Sequence, residues 1–249
     1  VQSITRKKDL FMYTNYIFDL YGTLVDIHTN KKSKILWSKL SLFYSFNGAI
    51  YSPDELKASY LNKFKEKQKS LSHTKYPDFP LENIFKILYE EKEVKPSEDL
   101  VKSTAHLFRT LSIKYLKLYN GVIELLELLK RKEKNIYLLS NAQQVFTLYE
   151  MRILDIEKYF DKIYFSSDYY ICKPDSKFFE QLISDLNLDI KKSIMIGNDP
   201  ICDIKGAQSV GLDTLYIHSN LSPEIKHEFN PTYKVMNGDV NQISSLIIN

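Results

Sequence analysis

Five short apolar runs punctuate the chain, at residues 16–18, 136–139, 162–165, 193–196 and 214–217. Each is rich in β-branched and aromatic side chains and bounded by polar or turn residues, the pattern of a buried strand. Between most of them the apolar residues change to helical spacing. Val122, Leu125, Leu126 and Leu129 recur at i, i+3, i+4 and i+7, and Phe178, Phe179, Leu182, Ile183 and Leu186 follow a similar rhythm. Strands alternating with helices predict an α/β fold, a doubly wound parallel sheet covered on both faces. A last strand at 233–235 and a helix at 240–248 are expected to complete it. Asn120-Gly121, Lys173-Pro174 and Asn198-Asp199-Pro200 mark loop tips.

The alternation breaks once. From Lys31 to Leu118 only helical patterns appear. Ile35, Leu36, Leu40 and Phe43 mark one helix. Ser52-Pro53-Asp54-Glu55 has the form of a capping box with proline at the first helical position, opening a second. Ile84, Phe85 and Leu88 mark a third. Val101, Thr104, Phe108, Leu111, Tyr115 and Leu118 step along a fourth. This predicts a Rossmann-like core of residues 1–29 and 119–249, with residues 30–118 inserted as an all-helical cap domain. The insertion begins just after the first strand, which suits a lid as well as a purely structural layer.

Composition narrows the partners. The 249 residues carry a net charge of +3, with lysines interleaved among acids, so no basic stripe marks a nucleic-acid face. No stretch approaches the roughly 18 apolar residues that a membrane span needs. Arg6, Lys7, Lys8 and Asp9 are followed by no long apolar run, so a signal peptide is not expected. Two cysteines, Cys172 and Cys202, make neither a close metal-ligand pair nor a disulfide framework. A cytoplasmic protein is expected. The five histidines show no ligand spacing, and His28 and Asp168 are weak candidates only.

Chemistry collects where the strands end. In an open parallel sheet, ligands bind beyond the carboxyl ends of the strands. Asp19 follows the first run, Ser140 and Asn141 the second, Lys173 the third, and Asn198, Asp199 and Asp203 the fourth. Singly, each could be a cap or a turn residue. Together they offer a carboxylate able to attack phosphorus, a hydroxyl, a lysine and further carboxylates. A phosphate among carboxylates meets like charge, which Mg²⁺ would offset by taking a few carboxylate oxygens. The backbone of the Tyr21-Gly22-Thr23 turn can donate to phosphoryl oxygens.

Four segments resemble the motifs of the haloacid dehalogenase superfamily, in that family's order: residues 19–25 (DLYGTLV), 138–142 (LLSNA), 173–175 (KPD) and 196–203 (IGNDPICD). The resemblance covers residues 15–28 and 121–219, and the insertion sits where this superfamily places its first type of cap. Most members are phosphatases; a few act on carbon–halogen or carbon–phosphorus bonds. The resemblance implies Asp19 as nucleophile and metal ligand, and the Tyr21 backbone carbonyl as a metal ligand. It puts Gly22 and Thr23 in the motif turn and makes Ser140 and Asn141 substrate-side residues. Lys173 would orient nucleophile and substrate. Asp203, with Asp199 or Asn198, would complete an Mg²⁺ site, and the partner would be a small phosphorylated molecule.

Two departures matter. The phosphatases of this superfamily usually carry a second Asp two residues after the nucleophile, as general acid and base; here it is Tyr21. Such help is typically worth ~10²–10⁴ in rate. In the last motif, counting back from Asp203, one spacing selects Asn198 and the other Asp199; the preference of Mg²⁺ for carboxylates points to Asp199. Tyr at the second position resembles the 2-haloacid dehalogenases. Those enzymes hold the halide with an early cap arginine, whereas no arginine lies between Arg6 and Arg109. Their tyrosine six residues past the lysine is Phe179 here, and they lack the Gly197, Asp199 and Asp203 loop. A Mg²⁺-dependent phosphatase is therefore expected. The alternatives are a dehalogenase-type hydrolase and a phospho-ligand binding protein with little turnover.

Overall fold

The computed structural model describes residues 13–248. The expectation about the charged N-terminal segment therefore lies outside the described residues. Six strands form one parallel sheet: β1 (Asn15–Phe18), β4 (Asn135–Ser140), β5 (Lys162–Phe165), β6 (Ser193–Gly197), β7 (Asp213–Ile217) and β8 (Tyr233–Val235), in the order β5-β4-β1-β6-β7-β8. β1 is central, with Tyr16 opposite Ile136 on one side and Ile194 on the other. Its four residues are all buried, which is why this strand reads as an unbroken apolar run. Helices α5 (Val122–Arg131) and α10 (Asn241–Ile247) pack on one face, and α8 (Ser176–Leu186) on the other. The sheet's carboxyl edge carries α6 (Gln144–Ile153), the short α7 (Ser166–Tyr169), a single π turn at Pro200–Lys205, and α9 (Gly206–Ser209).

The insertion contains α1 (Lys34–Phe46), α2 (Pro53–Ser70), α3 (Glu82–Glu90) and α4 (Glu98–Ser112). The capping box is present: Ser52 Oγ accepts from the Glu55 amide at 3.2 Å, and the Ser52 amide donates to Glu55 Oε2 at 3.4 Å. The four helices bury an aromatic cluster of their own. Trp37 lies 5.4 Å from Tyr60 and 5.9 Å from Phe108, ring to ring, and Phe85 packs on both Tyr60 and Phe108. Val145 and Phe146 of α6 belong to the same cluster, so the helical layer is anchored on the core through apolar burial.

One expectation is corrected. The fourth helix does not reach Leu118; it stops at Ser112, and β3 (Ile113–Leu118) follows. β3 pairs antiparallel with β2 (Val25–Thr29), so a two-stranded ribbon frames the insertion at both ends. The residues fit both periods. Leu111, Tyr115 and Leu118 step helically, but Leu116 and Leu118 also alternate with exposed Lys117. The sheet period wins because β2 supplies a partner, and Leu116 and Leu118 pack on the core.

Candidate active site

Asp19 lies one residue beyond β1, Ser140 ends β4, and Asn198 follows β6 directly. Lys173 comes from the loop between α7 and α8. It is fully buried, and its ammonium donates to Asp19 Oδ1 at 2.8 Å, Asp203 Oδ1 at 2.7 Å and the Leu139 carbonyl at 2.7 Å. Burial opposes this charge, but the two carboxylates outweigh burial and raise the Lys173 pKa above the usual lysine value. Ser140 Oγ donates to the same Asp19 oxygen at 3.3 Å. No described residue donates to Asp19 Oδ2, which leaves one carboxylate oxygen for a ligand. Burial pushes the Asp203 carboxyl up to about 7, against the pull of Lys173.

Two glycines shape the loops. Gly22 has φ +86, and a Cβ there would lie 2.2 Å from Asn198 Nδ2, so a side chain would be both strained and in collision. A Cβ on Gly197 would lie 2.3 Å from Asp203 Oδ2, so the missing side chain lets Asp203 fold back beneath the strand end. Thr23 Oγ1 donates to Asn198 Oδ1 at 3.3 Å, tying the first motif loop to the last.

A cavity of about 180 Å³ opens here. Eight of the ten expected residues line it: Asp19, Tyr21, Ser140, Asn141, Lys173, Asn198, Asp199 and Asp203. Gly22 and Thr23 lie against Asn198 rather than on the wall. Leu221 and Pro223 line the wall as well, and the sequence offered no signal for either. Asn141 braces the lysine loop. Its Nδ2 donates to the Lys173 carbonyl at 2.9 Å, and its Oδ1 accepts from the Lys173 amide at 2.8 Å. Asp199 Oδ1 caps the following turn, accepting from the Ile201 and Cys202 amides at 2.8 and 2.9 Å. Asn198, by contrast, is buried against the Gly22 loop.

Tyr21 belongs to a polar cluster that sequence reasoning missed. Its hydroxyl donates to Glu150 in a short hydrogen bond and lies 3.1 Å from Thr147 Oγ1. Arg109, from the last turn of α4, donates to Glu150 Oε2 at 3.2 Å and to the Tyr21 hydroxyl at 3.4 Å. Burial first, and then the Glu150 charge, raise the Tyr21 pKa, so the phenol stays neutral. Arg109 and Glu150 thus form a buried ion pair between the helical layer and the core, with Tyr21 beneath it.

The weak candidates separate from the site. His28 is exposed on β2, stacked on Tyr115, and Asp168 sits in α7 and accepts from Ser167 Oγ. Cys202 lines the cavity and Cys172 does not. Burial pushes both thiols up to about 12, so neither is a ready nucleophile.

Among the described residues, no three His, Cys, Asp or Glu side chains converge on one cation position. Mg²⁺ is ordinarily held by one or two carboxylates, with carbonyls, water and substrate oxygens filling its shell. Asp19, the Tyr21 carbonyl, Asn198 and Asp203 are a donor set of that kind. No helix among the described residues is long and apolar enough to cross a membrane.

Comparison with known proteins agrees with this arrangement. Residues 16–217 match the model of the family described as haloacid dehalogenase-like hydrolase. A phosphorylated carbohydrates phosphatase of Thermotoga maritima is 30% identical over 136 residues, covering 53% of this chain and 62% of that protein. The match thus spans under two thirds of that relative's own length. Among solved structures, a 2-haloacid dehalogenase from Pseudomonas syringae shares the fold at TM-score 0.63 and 17% identity, covering 94% of this chain and 97% of that one. YfnB of Bacillus subtilis, solved bound to magnesium, shares it at TM-score 0.55 and 16% identity, covering 95% and 99%. The sheet order, the strand-end motifs and the family match together identify the chain as a member of the haloacid dehalogenase-like hydrolases.

Proposed function

We propose that this chain is a Mg²⁺-dependent phosphatase of small phosphomonoesters that works through a phosphoryl-aspartate on Asp19. The supporting observation is the Asp19–Lys173–Asp203 cluster on the cavity wall, with Asp19 Oδ1 held by Lys173 and Ser140 and no described residue donating to Oδ2. Lys173 fixes the aspartate and offsets its charge as the phosphoryl group approaches. Ser140, at 3.3 Å from the nucleophile, is set to donate to a phosphoryl oxygen. Asp19 Oδ2 attacks phosphorus, the P–O bond to the alcohol breaks, and water then cleaves the acyl phosphate. A bound Mg²⁺ would supply the charge that offsets repulsion between nucleophile and phosphoryl group. Residues 30–118 serve as the cap domain over a core of residues 1–29 and 119–249, and the setting is a reducing compartment such as the cytoplasm.

Asn198 is the better metal ligand in this reading. Asp199 Oδ1 is held by two backbone amides at 2.8 and 2.9 Å, whereas Asn198 Oδ1, among the described residues, accepts only the longer 3.3 Å bond from Thr23 Oγ1 and lies against the motif turn. Asn198→Ala is expected to raise the Mg²⁺ concentration for half-maximal activity about tenfold or more. Asp199→Ala is expected to leave that titration nearly unchanged and to cost about 1 kcal/mol as a lost cap. The check is phosphate release against Mg²⁺, with chelator as the zero point. Metal-independent release would refute the metal role.

Tyr21 gives a second expected result. Its hydroxyl is engaged by Glu150 and Thr147, so it is not the acid for the leaving group. Tyr21→Phe should keep kcat within about threefold, where loss of a general acid would cost ~10²–10⁴. This engagement also favours a second reading, a phospho-ligand binding protein with little turnover. A phosphatase panel with and without Mg²⁺, run beside a 2-haloacid assay, separates the cases. Phosphate release supports the phosphatase, halide release the dehalogenase, and binding without release the second reading.

A further inference from the structure

A second cavity, of about 350 Å³, lies beside the first. The two share Lys173, Asp199, Cys202 and Pro223, so they adjoin across a common wall. Their walls differ in chemistry. The first is lined by the carboxylates and the lysine; the second takes Tyr76, Pro174, Pro200, Ile201, Ile225 and Phe229, with charged Lys205, Glu224 and Lys226 also on its wall. The division follows the sequence. Lys173 and Asp199 touch both cavities, and the prolines that follow each of them line the second one alone. A largely apolar chamber beside a polar one suits a ligand with an anionic head and a ring-bearing body.

We infer that this chamber is the subsite for the organic part of the substrate, and that the phosphoester carries an apolar, aromatic group. The inference rests on the phosphatase reading for the word substrate, and on the adjoining cavities for the site. The route for the organic group supports it. No residue of α1, α2, α3 or α4 lines the reaction cavity, so nothing from those helices holds a leaving group there. The second chamber does receive a residue of the insertion. Tyr76, in the α2–α3 loop, is pinned where its carbonyl accepts from the Cys172 amide at 2.7 Å. The organic group of a phosphoester held at Asp19 would reach this chamber across the wall that Lys173, Asp199, Cys202 and Pro223 share. Phe229 is buried against Tyr216, their rings 4.8 Å apart, so that end of the chamber is firm.

The test uses phosphonates, which bind without being hydrolysed. Calorimetric titration of the full chain with Mg²⁺ compares methylphosphonate with 1-naphthylmethylphosphonate. The aryl compound is expected to bind about tenfold tighter or more, from its buried apolar area. Ile225→Trp and, separately, Ile201→Trp fill the chamber from exposed positions and should erase that advantage. Equal affinities in the wild type would overturn the inference, as would an advantage that survives both variants. Hydrolysis of acetyl phosphate and of 1-naphthyl phosphate is measured in parallel. If the aryl preference holds and neither compound is cleaved, the subsite stands and the phosphatase reading falls. If either is cleaved and the aryl preference is absent, the reverse is true.

Discussion

Asp19→Asn is expected to lower Mg²⁺-dependent phosphate release by roughly 10⁴-fold or more while the protein stays folded. The amide keeps the side chain's size but is a far poorer nucleophile. Stability should move by no more than about 2 kcal/mol, because Lys173 keeps Asp203 and the Leu139 carbonyl as partners. The measurement is single-turnover phosphate release beside a thermal melt. Acid-quenched wild type should carry a phosphoryl group on the peptide containing Asp19, and the variant should not. Release that survives at wild-type rate, with an intact fold, would remove Asp19 from the chemistry. Loss of the fold instead would mean that the Asp19 charge is chiefly structural.

Lys173→Met should affect stability and activity together. The ammonium is buried between two carboxylates, and removing one member of a buried ionic cluster typically costs about 3–5 kcal/mol. Methionine fills much of the volume but leaves Asp19 and Asp203 facing each other without a counter-charge. The deficit has a sign in pH. Burial already raises the Asp203 carboxyl to about 7, and without Lys173 it must rise further. A carboxyl whose folded pKa lies above its unfolded value favours the native state at low pH. That favour is lost as pH rises through the folded value. The variant should therefore fall furthest behind wild type above neutrality and recover toward acid. Added Mg²⁺ should narrow the gap by neutralising the same pair. Chemical denaturation at several pH values, with and without Mg²⁺, reads all three effects. A uniform small deficit at every pH would show that the carboxylates are not coupled through this lysine.

The sheet was legible because its strands are buried on both faces, so residues such as Tyr16, Ile17 and Phe18 form a run with no polar interruption. The site was legible for a related reason. A parallel sheet delivers every strand's end to one edge, so Asp19, Ser140, Lys173 and Asp203 needed only the sheet to be brought together. The ribbon was not legible, because β3 satisfies the helical and the strand period alike, and pairing with Val25–Thr29 decides between them. Spacing alone offered both Asn198 and Asp199 as the metal ligand, and the proposed role of Asn198 rests on the two amides held by Asp199, which spacing does not encode. Least visible was the cluster around Tyr21. Its members lie 88 and 129 residues away, at Arg109 and Glu150, and neither belongs to a recognisable motif.

The aromatic packing inside the helical layer has a practical consequence. Trp37 is the chain's lone tryptophan, buried between Tyr60 and Phe108. Its fluorescence is therefore a native reporter of that layer and of its seam with α6. Emission followed beside far-ultraviolet dichroism would tell whether the two halves melt as one, without any label being attached.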